Sequence, residues 1–248
     1  MLRKDIKKPL PSGVDAQEIA KFNAMASAWR DPQGAFRVVH AFNKARLAWL
    51  QTTLAKLLNV KDFKDIKLLD AGCATGLVSE RFAQVGAIVT GIDAAERNIE
   101  IARQCAQLAG LDIDYQLATP EEYAQSSPQS YDLVFALEVV EHVADLPSFL
   151  DALFRCVKPD GLVVIATLNR TWLAWLLSIV MAEYVLGWLP KGTHDWRRFV
   201  TPKELDACAN RHNFSRIAET GLGLKPWRRQ WATVRSLSAN YMVVYRQA

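Results

Sequence analysis

The apolar positions along this chain change their period twice. From Asp15, Ile19, Phe22 and Met25 recur at helical spacing. Over 40–58, Leu47, Leu50, Leu54, Leu57 and Leu58 share one face, so 15–60 predicts two N-terminal helices. From residue 66 the apolar residues gather instead in short runs, at 66–70, 88–93, 113–117, 133–137 and 162–168. Runs of this kind suit strands buried on both faces. Helical stretches at 77–85, 95–109 and 146–157 separate several of them. Strands alternating with helices make right-handed βαβ units, which predicts an α/β fold with a doubly wound, Rossmann-like sheet that is mostly parallel. The rhythm changes again after the fifth strand, where 169–200 forms an apolar and then basic insertion. Thr201-Pro202-Lys203-Glu204 then starts a helix, with Thr as N-cap, Pro in the first helical position and Glu in the third. Strand-like runs at 214–220 and 241–245 end the chain as a hairpin-like, antiparallel addition to the sheet.

Composition narrows the picture without changing it. The chain has 248 residues, 50% of them hydrophobic, enough for one large domain over 15–248, and no linker divides it. Residues 1–14, charged and carrying Pro9, Pro11 and Gly13, are expected to form a disordered arm. A net charge of +4 is too mild to point to nucleic acid. Cys73, Cys105, Cys156 and Cys208 lack metal-ligand spacing and read as reduced thiols. The basic N-terminus is followed by no apolar core of a signal peptide, and Asp5, Asp15 and Glu18 argue against an organelle presequence. The expectation is a cytoplasmic bacterial protein.

The candidate chemistry starts at Asp70-Ala71-Gly72-Cys73-Ala74-Thr75-Gly76, a small-residue loop between the first strand and its helix. In an open α/β sheet this turn lies at the topological switch point, where ligands bind. Gly72 and Gly76 let backbone approach a ligand with no Cβ in the way. Asp93 ends the second strand, where a carboxylate can accept ribose hydroxyls. A dinucleotide loop would place glycines at offsets 0, 2 and 5, whereas here they fall at 0 and 4. An acid directly before the loop, Asp70, suits a cofactor with a cationic sulfonium and an ammonium group, S-adenosylmethionine. A generic βα turn would not call for an acid at Asp93.

These residues also carry a resemblance. The segments are Phe22-Asn23-Ala24-Met25-Ala26 with Trp29, Asn43 with Arg46-Leu47, the cofactor loop, Thr90-Gly91-Ile92-Asp93, Glu138-Val139-Val140-Glu141-His142-Val143, Val157-Lys158-Pro159, Thr167-Leu168-Asn169-Arg170, Ala182-Glu183-Tyr184, Pro190-Lys191-Gly192-Thr193-His194-Asp195 and Asn240-Tyr241-Met242. Together they resemble the bacterial ubiquinone-biosynthesis O-methyltransferases, class I enzymes that methylate polyprenylated catechols with S-adenosylmethionine. The resemblance implies that Arg46, Gly72, Asp93 and Leu137 contact the cofactor, with Arg46 reaching the methionine carboxylate; Asp70 and Gly76 complete the predicted set. It also implies peripheral work at the inner face of the cytoplasmic membrane, beside other enzymes of the pathway. Two departures stand out: Ala74 and Thr75 replace family glycines, and Leu137 replaces a usual Met.

Two features bear on the substrate. Glu138, Glu141 and His142 follow the fourth strand, and a helical turn there would set all three on one face. Such a set suits Mg²⁺, which prefers oxygen ligands and could orient a catechol. The same residues also serve metal-free methyltransferases as loop and pocket groups, and His142, with Glu141, could handle the proton. Both readings stay open at this point. The stretch 171–189 has nearly the length of a membrane span. Glu183 interrupts it, and the chain must return to the same sheet, so spanning is not expected. It reads either as a buried lid or as an interfacial segment with Trp172, Trp175 and Trp188 at headgroup level, near Lys191, Arg197, Arg198, Arg228, Arg229 and Arg235 for anionic lipid. His194 is assigned to the substrate entrance. The expected activity is O-methylation of a polyprenyl catechol at the membrane surface. The alternatives are methylation of another apolar molecule, or a weak enzyme kept as a scaffold.

Overall fold

A computed structural model describes residues 15–31, 33–34, 36–186, 192–193, 195–225 and 230–248. Two helices, α1 (Ala16–Met25) and α2 (Arg37–Leu58), precede the sheet, with a 3₁₀ turn at Ala26–Arg30 between them. Strands β1 (Lys67–Ala71), β2 (Ile88–Asp93), β3 (Ile113–Leu117), β4 (Tyr131–Leu137) and β5 (Val157–Leu168) alternate with α3 (Leu77–Ala83), α4 (Glu96–Leu108), α5 (Pro120–Ser126) and α6 (Leu146–Cys156). After α7 (Trp172–Ala174), which continues as a π-helix over Trp175–Val185, come α8 (Pro202–Arg211), β6 (Phe214–Lys225), β7 (Gln230–Val234) and β8 (Asn240–Gln247). The strands form one sheet in the order β3-β2-β1-β4-β5-β8-β6-β7. The first five are parallel, and β8 runs antiparallel between β5 and β6. Strand order reverses at β1, so the carboxyl ends of β1 and β4 open the crevice where this architecture binds ligands.

Alternating side chains of the central strands serve two cores. Leu69, Val134, Val163 and Ile165 pack under α5, α6 and α8, with Phe149, Leu153 and Leu205. Leu68, Leu133, Phe135 and Val164 face the other way, toward Leu50 and Leu54 of α2 and Val78 and Phe82 of α3. Burial on both faces explains why these strands read as uninterrupted apolar runs. At roughly 1.5–3 kcal/mol for each fully buried large side chain, these two layers supply the main driving force for folding.

The parallel core matches the predicted runs closely, and the antiparallel ending is longer than expected. β7 was not anticipated; it is a partly exposed strand, with burial alternating weakly along it. α5 was also missed, being only seven residues long, although Thr119 and Glu122 form a reciprocal capping box at its start. The same device starts α8 at Thr201 and Glu204, as the sequence indicated. The arm 1–14, together with Trp188, Lys191, His194, Arg228 and Arg229, lies outside the described residues.

Candidate active site

The glycines of the β1–α3 loop hold positions that a side chain would block. Gly72 has φ +76°, and a Cβ there would come within 2.6 Å of Val139. Gly76, at φ +84°, caps α3, and its Cβ would lie 2.1 Å from the Tyr115 hydroxyl. Ala74 also takes a left-handed conformation, φ 47°, which a glycine would adopt at less cost. Its N–H donates to Asp93 Oδ2 at 2.9 Å. The Thr75 carbonyl accepts from Arg30, whose guanidinium also pairs with Glu80. The substituted loop is therefore held from outside by the N-terminal segment.

Two carboxylates frame this loop, Asp70 buried and Asp93 half-buried. Asp70 Oδ2 accepts from the Ser79 hydroxyl at 2.6 Å, yet burial pushes its pKa up to about 6. Asp93 is also raised by burial, against the opposing pull of donors from Ala95, Asn98 and Ala74. Three of the roughly four lone-pair sites on Asp93 are taken, since Oδ1 accepts from Ala95 N at 2.8 Å and Asn98 Nδ2 at 3.2 Å. The remaining site on Oδ2 is available to a ligand hydroxyl. Asn98 Oδ1 beside it is buried with no partner. Two acids whose pKa values are raised by burial, with a backbone cradle that a Cβ would fill, fit a cationic cofactor such as S-adenosylmethionine.

A second group surrounds the end of β4. Arg46 projects from α2, fully buried, and burial lowers its pKa against the opposing charges of Glu138, Asp70 and Glu141. It donates to Glu138 Oε1 at 3.1 Å and to Asn43 Oδ1, one helical turn away, while its Nε has no partner. Glu138 also accepts from Asn240 Nδ2, at 2.9 and 3.0 Å. Its backbone is left-handed, φ 58°, a costly conformation of the kind that gathers at functional sites. Glu141 is buried and accepts from the Thr167 hydroxyl at 2.8 Å. Burial, and then the charge of Glu138, push its pKa up to about 8. His142 Nδ1 lies 2.8 Å from Glu18 Oε2, and this hydrogen bond holds the Glu18 carboxyl below its ordinary range.

The expected metal set is corrected by this geometry. The segment after β4 is a turn, with His142 N bonded to Val139 O at 2.9 Å, and the left-handed Glu138 breaks the helical spacing on which a shared face depended. Glu138 faces Arg46 and Asn240, Glu141 faces Thr167, and His142 faces Glu18. Among the described residues no three His, Cys, Asp or Glu side chains converge on a position that could hold a metal. As they stand, the three side chains do not meet around one ion position.

Asp70, Gly72, Asp93, Arg46, Leu137, Glu138, Glu141 and His142 all line one cavity of about 880 Å³, within the usual range for small-molecule sites. Gly76 stands behind it as the helix cap. The cavity extends to Leu173, Leu177 and Met181 of the insertion and to Leu222, Leu224 and Trp231 of the β6–β7 hairpin. Sequence reasoning assigned no site role to Glu18, Arg30 or Tyr115. Asn43, Thr167 and Asn240 entered only as motif letters. The three-residue spacing of Asn43 and Arg46 on one helix was a usable signal. Asn240 carried none, being 102 positions from Glu138.

A methyltransferase-domain family model matches residues 42–219. The ubiquinone biosynthesis O-methyltransferase of Bartonella bacilliformis is 41% identical over 239 residues, covering 94% of this chain and 96% of that protein. The chain belongs to the ubiquinone biosynthesis O-methyltransferase family. Members of this family, this chain included, are S-adenosylmethionine-dependent O-methyltransferases. The protein of the same description from Paramagnetospirillum magneticum is 43% identical, covering 92% of both chains. Among solved structures, magnesium protoporphyrin IX methyltransferase from Synechocystis with bound SAH shares the fold at TM-score 0.64 and 18% identity, covering 92% of this chain and 94% of that one. The [4+2]-cyclase SpnF matches at TM-score 0.65 and 14% identity, covering 97% and 99%. A cyclase on this fold is a reminder that the site, not the sheet, carries the chemistry.

Proposed function

We propose that this chain methylates a hydroxyl of a catechol bearing a polyprenyl tail, drawn from a membrane surface. The observation that carries this reading is the continuity of one cavity from the acid-lined loop at Asp70–Gly76 to the apolar insertion. One side of the insertion lines that cavity through Leu173, Leu177 and Met181. The other side exposes Trp172 (70%), Val185 (62%) and Tyr184 (60%), with Trp175 also outward. An exposed aromatic and aliphatic patch, followed in the chain by Arg197 and Arg198, suits the interface of an anionic bilayer. Glu183, the acid that interrupts the stretch, is buried and accepts from Gly192 N at 2.7 Å, so it does not face lipid. Among the described residues no helix is long and apolar enough to cross a membrane. The tail leaves the cavity along the insertion and the hairpin while the ring stays near β4.

When bound, S-adenosylmethionine supplies an electrophilic methyl group on a positively charged sulfur. Asp93 and the Gly72 backbone would hold its ribose side, and Asp70 would complement its cationic side. Arg46, whose donors reach Glu138 and Asn43, would face its carboxylate. His142 would take the substrate hydroxyl proton, leaving the oxygen free to accept the methyl group. Glu141, held protonated below about pH 8, keeps the wall behind His142 from adding a second negative charge next to Glu138. No step runs through a divalent ion, because Glu138, Glu141 and His142 face different partners.

The scaffold reading gains nothing from the altered loop, since Ala74 and Thr75 both keep backbone hydrogen bonds that shape it. The deciding experiment measures transfer of labelled methyl to catechols with no tail, a short tail and a long tail, with and without anionic vesicles. The proposal expects KM to fall as the tail lengthens and vesicles to increase turnover of the long-tailed substrate. Equal use of the tailless catechol would overturn the substrate assignment.

A further inference from the structure

We propose that Glu18 of α1 is a positioning residue for methyl transfer, fixing the ring of His142 so that its Nε2 faces the substrate hydroxyl. This rests on the reading of His142 as the proton acceptor.

The geometry starts with an unusual helix. α1 buries none of its residues, so it has no core of its own to set its position. Polar tethers hold it instead. Asp15 pairs with Arg198 at 2.9 Å, and Lys21 Nζ donates to the carbonyls of Gly192 and Thr193 at 2.9 and 2.7 Å. Asn23 accepts from Arg97 N at 3.0 Å. These contacts seat α1 over the mouth of the cavity, where Glu18 and Phe22 join its lining.

Glu18 and Phe22 stand four positions apart and therefore share one face of α1. Both meet the same imidazole. Phe22 packs edge-on against the His142 ring, with centroids 5.0 Å apart and planes at 87°. Glu18 Oε2 takes Nδ1 at 2.8 Å. Both contacts help to set the plane of the ring and its rotation within that plane. A carboxylate on Nδ1 also keeps the proton there, so proton exchange with a substrate falls to Nε2. When His142 takes the hydroxyl proton it becomes a cation, and the Glu18 carboxylate facing it stabilises that charge. This is the part an orienting carboxylate plays behind a catalytic histidine in unrelated enzymes.

The pair is not an ordinary surface contact. The side chains are only 21% and 13% exposed, and the partners are 124 residues apart. A solvated pair of that kind would contribute little. Because α1 carries Glu18, the seating of α1 contributes to orienting the histidine, and the Lys21 and Asn23 contacts keep that seating when the Asp15 tether is removed.

The test compares four variants of the full chain by steady-state kinetics with a short-tailed catechol and by calorimetric cofactor binding. Glu18→Gln should lower kcat by about 10- to 100-fold, with KM and cofactor affinity within about threefold of the parent, the pattern of an interaction made in the transition state. Glu18→Asp, which retains the charge on a shorter stem, should recover about tenfold of the lost kcat. Asp15→Asn removes the ionic tether of α1 and keeps its N-cap acceptor; kcat should stay within about threefold. His142→Ala should be at least as slow as Glu18→Gln. A Glu18→Gln variant with normal kcat, beside an impaired His142→Ala, would overturn the role of Glu18 and leave His142 as proton acceptor. An active His142→Ala would overturn both. An Asp15→Asn defect equal to that of Glu18→Gln would reduce Glu18 to a tether of α1 and also overturn the proposal.

Discussion

The two ends of the cavity are built on different physical terms. The cofactor end is made from the carboxyl ends of β1, β2 and β4, strands buried on both faces, and its acids are held by backbone and short side-chain donors. The substrate end is made from α1, the insertion and the β6–β7 hairpin, elements with exposed apolar faces or no buried residues at all. A core of parallel strands fixes position to fractions of an ångström because every neighbour is packed. A π-helix that buries only Ala182 and Glu183 is fixed far less by packing and leaves a broad apolar surface for something else to cover. On the proposed reading, one end takes a small charged molecule and the other admits a large apolar one.

The contrast can be broken most directly at Asp93. Asp93→Ala should weaken S-adenosylmethionine binding by about 10- to 100-fold, since a hydrogen bond to a charged group contributes roughly 1.5–3 kcal/mol. Calorimetric titration measures this, and Glu141→Ala should leave the same affinity nearly intact while slowing transfer. Equal losses in the two variants would erase the division between ends. Next in size, Trp172→Ser with Trp175→Ser should lower affinity for anionic vesicles by about tenfold in a sedimentation assay, with cofactor affinity unchanged.

A smaller effect concerns pH. Burial raises Glu141 from 4.5 to about 8 and Asp70 from 3.8 to about 6, so the folded chain keeps protons that the unfolded chain has released. Stability from these groups is complete below about pH 4 and is lost as pH rises toward about 8. Thermal unfolding of the cofactor-free chain should show Tm falling from pH 5 to pH 8, and Glu141→Gln should flatten the fall. A bound cationic cofactor should reduce it further by favouring ionised Asp70. Smallest of all, Ala74→Gly should relieve the left-handed strain at φ 47° for a net gain of no more than about 1 kcal/mol, because glycine's extra chain entropy opposes it. Denaturant titration should detect the shift without a matching change at the substrate end.

The sequence by itself determined the sheet and the conformation-bearing residues of the loop after β1. Apolar runs at β1, β2, β4 and β5 could mean little else, and Gly72, Gly76 and Asp93 sit within a short, ordered stretch of chain, so spacing carried their geometry. Thr201 and Glu204 likewise announced α8 through a local reciprocal bond. Where an assignment needed contacts between distant residues, the tertiary structure decided. The helical turn assumed after β4 gave way to a left-handed Glu138, held by Arg46 and Asn240 from opposite ends of the chain, and the shared metal face went with it. The partner of His142 lies on α1, 124 residues earlier, and no period or motif joins Glu18 to it. Local pattern encodes which residues are buried and how a turn closes; which side chains meet across the cavity follows only from the packing of whole elements against one another.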